Sequence, residues 1–344
     1  MHKRLTVVSI IVALLLVALT LGCGVSSQAP GQGNDSTGAA GNLSASDILT
    51  KAVAANSTMK SGKIAFDANI TFDTDAAKLP AEAKAFTSQP ITISGSIAVS
   101  DDPVQAQATI KASLAGQNLD LGLQVIDSTA WIQFMGQWYQ TPPEVQQSLS
   151  SYMGKKDGHS DINQILSKAG IDPKNWLTQL TLVGEEPVNG VAAYHLTARP
   201  DVAKMLTDVF GLMQTADFQK MMGGATSGST LPALGASADM MKQVQDQLQS
   251  MIRDSKVDFW VAKDGFTLVK AAVTATLGAP AGQDSEGMNA INLTASMQVS
   301  DVNTPLNLKA PASSKSWADF QKAIAADSSL LQGLFSTGTS TSVQ

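Results

Sequence analysis

Residues 63–73 read KIAFDANITFD, and their alternation is strict. Ile64, Phe66, Ala68, Ile70 and Phe72 hold the even positions, while Lys63, Asp67, Asn69, Thr71 and Asp73 hold odd ones. Successive side chains of an extended chain point to opposite sides. This spacing therefore predicts a strand with one apolar and one solvated face, as in an antiparallel sheet, rather than a strand buried on both faces as in a parallel one.

The same period recurs downstream. ITISGSIAVS (91–100), VQAQATIKASL (104–114), LDLGLQV (119–125) and TAWIQF (129–134) alternate similarly, with SDDP, AGQN and IDS between them as turn signals. WYQTPP (138–143) interrupts the pattern, and INQILSKAG (162–170) has a helical period. Strands resume at LTQLTLVGEE (177–186), VAAYHLTARP (191–200), KVDFWVAK (256–263), FTLVKAAVTATL (266–277), NAINLTASMQVSDV (289–302) and TPLNLKAP (304–311). About eleven strands joined mostly by hairpins predict an α+β protein built on one curled antiparallel sheet.

Helical segments flank and interrupt that sheet. In SASDILTKAVAANSTMKSGK (44–63), Ser44 or Ser46 is the cap, Ile48, Leu49, Ala52, Val53 and Met59 share a face, and Gly62 is placed to end the helix. The block from Asp201 to Ser255 carries seven of the thirteen methionines, among them Met205, Met213, Met221, Met240 and Met251. Its middle, GGATSGSTLPALGAS (223–237), is of low complexity. Near the end, SWADFQKAIAADSSLLQGLF (316–335) places Trp317, Phe320, Ile324, Leu331 and Leu334 at helical spacing, and the tail STGTSTSVQ (336–344) reads as disordered.

The N-terminus supplies an address. MHKR precedes an uncharged run from Leu5 to Gly22, which is the layout of a signal peptide, although its length also matches the lower limit of a membrane anchor. Cys23, the only cysteine of 344 residues, ends the run. An exported chain with one thiol has no internal disulfide to make. Thr20-Leu21-Gly22-Cys23 resembles a bacterial lipobox, in which the chain is cut before the cysteine and a diacylglycerol is attached to its sulfur; Gly22 fits that pattern, while Leu21 and Thr20 depart from it. From Cys23 to Ser44 the chain is Gly-, Ser- and Asn-rich, a flexible tether with an end-to-end distance of roughly 25 Å. The expected organisation is thus a signal peptide over 1–22, a lipidated linker over 23–44, a sheet domain over 45–312 with a helical insert near 201–255, an amphipathic helix over 313–335, and the tail.

Composition excludes several function classes. The net charge is −6, falling to −8 if Lys3 and Arg4 leave with the signal peptide, and there is no basic patch for nucleic acid. The three histidines, His2, His159 and His195, belong to no HExxH helix, and neither a GxSxG elbow nor a P-loop is present. Glu185-Glu186, at the end of a predicted strand, and Asp101-Asp102 are expected at turns, where solvated carboxylates are the ordinary case. No catalytic residue, metal ligand or cofactor is assigned. The methionines of the insert stand without His or Cys beside them, so they read as a core stripe or an adaptable apolar cover rather than a metal site.

Four stretches together carry a resemblance: ILTKAVAANSTMKSGK leading into a strand, QVIDSTAWIQFMGQWYQ, EEPVNGVAAYHLTA, and DFWVAKDGFTLVKAAV followed by SDVNTPLNLKAP. They resemble the LppX/LprAFG family of envelope lipoproteins, within the wider LolA-like group of lipoprotein and lipid carriers, over residues 45–312. The resemblance implies a half-open antiparallel β-barrel with helices covering its concave face and an apolar cavity for acyl chains; the long Met-rich block departs from it.

On strand parity the positions facing such a cavity are Ile64, Phe66, Ile70, Phe72, Ile93, Ile97, Ile110, Leu121, Leu123, Ile132, Phe134, Val257, Phe259, Ile291, Leu293 and Met297, with Met205, Met213, Met221, Met240 and Met251 on the lid. None of the sixteen is charged, and Ala68, Ala106, Ala108, Ala112 and Ala295 on the same faces leave room that either helices or a ligand must fill. The expectation is a membrane-anchored lipoprotein that carries or presents a lipid at the bacterial cell envelope. Its alternative is an envelope sensor that binds lipid or a membrane protein, such as a transporter or signalling partner. Replacing Cys23 by serine is expected to abolish incorporation of a fatty-acid label into the full chain, and a label that persists in Cys23→Ser refutes lipidation at this residue.

Overall fold

A computed structural model describes residues 43–147 apart from 80 and 115, then 166–213, 215, 246, 250–278 and 287–326. Cys23, the apolar run before it, the linker, Met221, Met240 and the tail lie outside the described residues.

Eleven strands form one antiparallel sheet: β1 (Ser61–Thr74), β2 (Ile91–Asp101), β3 (Val104–Leu114), β4 (Gln117–Ile126), β5 (Thr129–Phe134), β6 (Gln137–Gln140), β7 (Leu177–Val188), β8 (Val191–Pro200), β9 (Ile252–Ala262), β10 (Leu268–Gly278) and β11 (Met288–Ser300). Their order is β6-β5-β4-β3-β2-β1-β11-β10-β9-β8-β7, so the sheet is a curled half-barrel that does not close. Two meanders meet where β1 pairs with β11, Ile64 opposite Val299 and Ile70 opposite Leu293. β6 and β7, neighbours in sequence, lie at opposite edges. The hairpins turn where the sequence permits positive φ, as at Met135-Gly136 (49° and 81°) and Asn189-Gly190 (50° and 83°).

Helices among the described residues include α1 (Ala45–Ser57), α2 (Ala81–Thr87), α3 (Val202–Met213) and α4 (Trp317–Ala326). Ser44 caps α1, its Oγ accepting from the Asp47 amide at 3.1 Å while the Asp47 carboxylate accepts from the Ser44 amide and hydroxyl. Ile48, Leu49 and Ala52 of α1 pack on the apolar side chains of β8–β11 and β1. The helix stops at Thr58, so Gly62 does not end it: Gly62 is already in β1, against Met59.

TPLNLKAP is not a strand; the eleventh strand is β6. Pro305 and Pro311 carry no N–H for a ladder, and residues 301–315 instead cross the polar face of the sheet as an extended strap. Ser61 Oγ donates to the Thr304 carbonyl at 2.8 Å, the Leu308 amide donates to Gln105 Oε1 at 3.1 Å, and Gln124 Nε2 donates to the Lys309 carbonyl at 2.6 Å. The strap then reaches the free edge of β6, where Lys315 exchanges backbone hydrogen bonds with Trp138 and Gln140.

On β1 the burial follows the parity: Ile70 is buried between Leu293 and Ile91, whereas Asn69 faces water. Ile70→Ala is expected to cost about 3 kcal/mol, and Asn69→Ala no more than about 0.5 kcal/mol. Urea unfolding of the two variants checks this, and equal small losses refute the register.

Candidate functional site

Directly paired residues of neighbouring strands point to the same side, so the registers assign faces across the sheet. One transverse row is Phe259, Ala271, Met297, Phe66, Gly95, Ile110, Leu121 and Phe134. A second is Val299, Ile64, Ile97, Ala108, Leu123 and Ile132, and a third is Val257, Val273, Ala295, Ala68, Ile93 and Ala112. With the Leu293–Ile70 and Ile291–Phe72 pairs, all sixteen positions assigned to the apolar face by parity lie on one side of the sheet.

That side is unevenly covered. Over β8–β11 and β1, Ile70, Val257, Ile291, Leu293 and Met297 are buried in one cluster with Ile48 and Leu49 of α1. At the seam Ile64, Phe66, Phe72, Ile93 and Phe259 pack against it, half-buried. The Phe66 ring leans over Gly95, where a Cβ atom would come within 2.5 Å of its Cζ. Beyond the seam Ile97, Leu121, Leu123 and Ile132 are half-buried, and Ile110 is 40% exposed. Phe134 is buried again at the β6 edge, where Phe320 of α4 meets it edge-on at 6.3 Å. No charged side chain stands in these three rows.

The lid residues are placed differently. Met205 is buried in a separate cluster with Leu166, Ile171, Trp176 and Leu212, which includes none of the sixteen. Trp176 Nε1 donates to Asp208 Oδ2 of α3 at 2.6 Å, tying this cluster to the short 3-10 helix Pro173–Trp176 before β7. Met251 is buried just before β9, and Met213 ends α3.

The polar side carries a network that sequence reading missed, because its members are far apart in the chain. His195 stacks on Trp260 at 4.5 Å, its Nε2 is 2.9 Å from Asp258 Oδ1, and its Nδ1 is 3.6 Å from Glu186 Oε1. Trp260 Nε1 donates to the same Glu186 oxygen, and Lys270 lies over the indole at 4.4 Å. The signal available in sequence was the polar parity of His195, Asp258 and Trp260. Burial works to raise the Asp258 carboxyl, but hydrogen bonds from His195 and Lys256 outweigh it and hold the group below its ordinary 3.8. The network joins β7, β8, β9 and β10, and Trp260 within it is buried. Among the described residues no group of three or more His, Cys, Asp or Glu is arranged to hold a metal ion, and no helix is long and apolar enough to cross a membrane.

Comparison with known proteins gives the following. A family of unknown function, DUF6612, matches residues 44–169, from the α1 cap through β6 and beyond. The structure is similar to that of the Mycobacterium tuberculosis lipoprotein LppX, at 16% identity over 76% of this chain and 96% of that one, with a TM-score of 0.32. It is similar to LprF from Mycobacterium bovis, at 13% identity over 78% and 97% with a TM-score of 0.34. A lipoprotein-sorting protein domain from Vibrio parahaemolyticus, described as a candidate outer-membrane one, matches at 13% identity over 81% and 96%, with a TM-score of 0.18. A search of curated protein sequences finds no match.

The Asp258 shift has a definite sign. A carboxyl depressed by folding adds stability above its unfolded value of 3.8 and loses it as pH falls through the lower folded value. Asp258→Asn is therefore expected to be less stable than the parent at neutral pH and to lose less on acidification below 3.8, as read by chemical unfolding across that range. Parallel acid curves for the two proteins refute the assignment.

Proposed function

We propose that this chain is an exported lipoprotein, tethered to the membrane through Cys23, whose sheet binds a lipid or similar apolar molecule and carries or presents it at the cell envelope. The observation that supports this most directly is the uncharged stretch of face over β2–β5. Ile97, Ile110, Leu121, Leu123 and Ile132 continue the packed core without being covered as it is, and Ile110 is 40% exposed. Fully burying one such side chain from an exposed start is worth about 1.5–3 kcal/mol, and an acyl chain laid across this stretch gains the part of it that these half-buried side chains still leave open. Contiguous apolar surface of this kind marks binding sites on soluble domains.

In this reading the sixteen face residues divide by role. Ile97, Ile110, Leu121, Leu123 and Ile132 touch the ligand, Ile64, Phe66, Ile93 and Phe134 bound it, and the rest hold the floor. The insert over 201–255 is assigned as cover through its other methionines, since Met205 packs instead with Leu166 and Trp176, and the Gly- and Ser-rich linker over 23–44 keeps the body within reach of the bilayer. The chain acts by binding, without a catalytic group, metal or cofactor. Its partners are the lipid, the membrane through the Cys23 anchor, and the membrane protein that gives or receives the cargo.

The test uses bulk. Ala108 lies between Ile97 and Leu123 in its row, and Ala112 between Ile93 and Leu119. Ala108→Trp or Ala112→Trp is expected to leave the melting temperature nearly unchanged and to remove the lipid that organic extraction and mass spectrometry recover from the purified parent. If the space is packed protein, the indole costs about 1–3 kcal/mol. That cost, together with a parent free of lipid, refutes the reading.

A further inference from the structure

The C-terminal segment is held at its two parts in very different ways. Residues 301–315 are fixed to the sheet through backbone and buried side-chain groups: Asn303 Oδ1 accepts from the Lys60 amide at 2.9 Å, and Gln105 and Gln124, only 9% and 4% exposed, have their amides satisfied by the strap backbone. Removing the strap would leave both buried amides without those partners. At Lys315 the chain is stitched to the edge of β6, and Ser316 caps the helix that follows, accepting from the Asp319 amide at 3.2 Å.

Beyond Ser316 the described part of the helix is held less firmly. α4 turns onto the apolar side of the sheet, where Phe320 packs at 5.3 Å from Tyr139 and 6.3 Å from Phe134, with Trp317 at 4.6 Å from Phe320. Phe134 is paired with Leu121, and Tyr139 with Ile132, so this aromatic contact occupies the end of the half-covered stretch. Trp317, Phe320 and Ile324 are only half-buried, and α4 has no buried residue.

We propose that α4 is an intramolecular competitor for the apolar face: it rests on Phe134 and Tyr139 when the face is empty and is displaced about the Lys315-Ser316 hinge when an acyl chain binds, while the strap stays in place. This rests on the lipid-binding reading. A helix that must leave lowers the apparent affinity by the fraction of molecules in which it is already away. Weakening its contact therefore strengthens binding.

The experiment follows binding of a pyrene-labelled fatty acid to the full-length chain in mild detergent, with hydrogen exchange read separately for residues 301–315 and 317–326. On loading, exchange over 317–326 is expected to rise by about tenfold while 301–315 is unchanged. Phe320→Ala is expected to take up the probe several-fold more tightly than the parent. If the parent binds the probe with exchange over 317–326 unchanged or slowed, the competitor assignment falls and the lipid reading stands. Binding by Phe320→Ala alone supports the competitor, and binding by neither protein overturns both.

Discussion

Everything in this structure depends on the pairing of β1 with β11. It joins residue 63 to residue 300 and sets the parity of both meanders at once. A shift by one residue would turn Ile64, Phe66, Ala68, Ile70 and Phe72 to water and bring Lys63, Asp67 and Asp73 under α1, exchanging the whole buried set for charges. The register is therefore specified by burial rather than by hydrogen bonds, which would be equally numerous in the shifted pairing. The pairing is also the longest-range one in the molecule, and it forms at a high cost in chain entropy that the cluster around Leu293, Met297, Ile48 and Leu49 must offset.

The same parity gives two halves of one face unlike surroundings. Over β8–β11 the side chains, Ala271, Ala275 and Ala295 among them, lie under α1, so that half is filled by the chain itself. Over β2–β4 the face has Gly95 and the alanines 106, 108 and 112 among its isoleucines and leucines, which gives it low relief. Phe66 stands between the halves because Gly95 has no side chain to keep its ring upright. The difference between the halves is therefore one of cover: among the described residues no helix equivalent to α1 packs on β2–β4.

Most of the sheet was legible in the sequence because period-two alternation reports a half-buried strand directly. VQAQATIKASL and VAAYHLTARP were placed residue for residue as β3 and β8. The errors have physical causes. TPLNLKAP alternates like a strand, yet its two prolines deny it a ladder, and its extended form serves instead to satisfy Gln105 and Gln124. WYQ was too short to carry a period and is a strand only because β5 and Lys315 pair with it on both sides. The His195–Trp260–Glu186 contacts escaped because polar parity says which side a residue faces and nothing about which distant strand lies beside it.

An open half-barrel must also manage two edges that a closed barrel would not have. β6 is only four residues long, and Lys315 occupies its outer side. β7 is longer, but its register shifts between Thr178 and Thr181 and again between Leu182 and Gly184, with Gln179 at a φ of 52°, so its outer side presents no unbroken ladder to another strand. Val183, 58% exposed, sits in the second irregularity, where a flat edge would have made it a template for aggregation. The two devices differ because the edges do different work. β7 is closed off by its own irregularity. β6 is protected by a segment that continues around the edge onto the apolar face, where Phe320 rests on Phe134 and Tyr139.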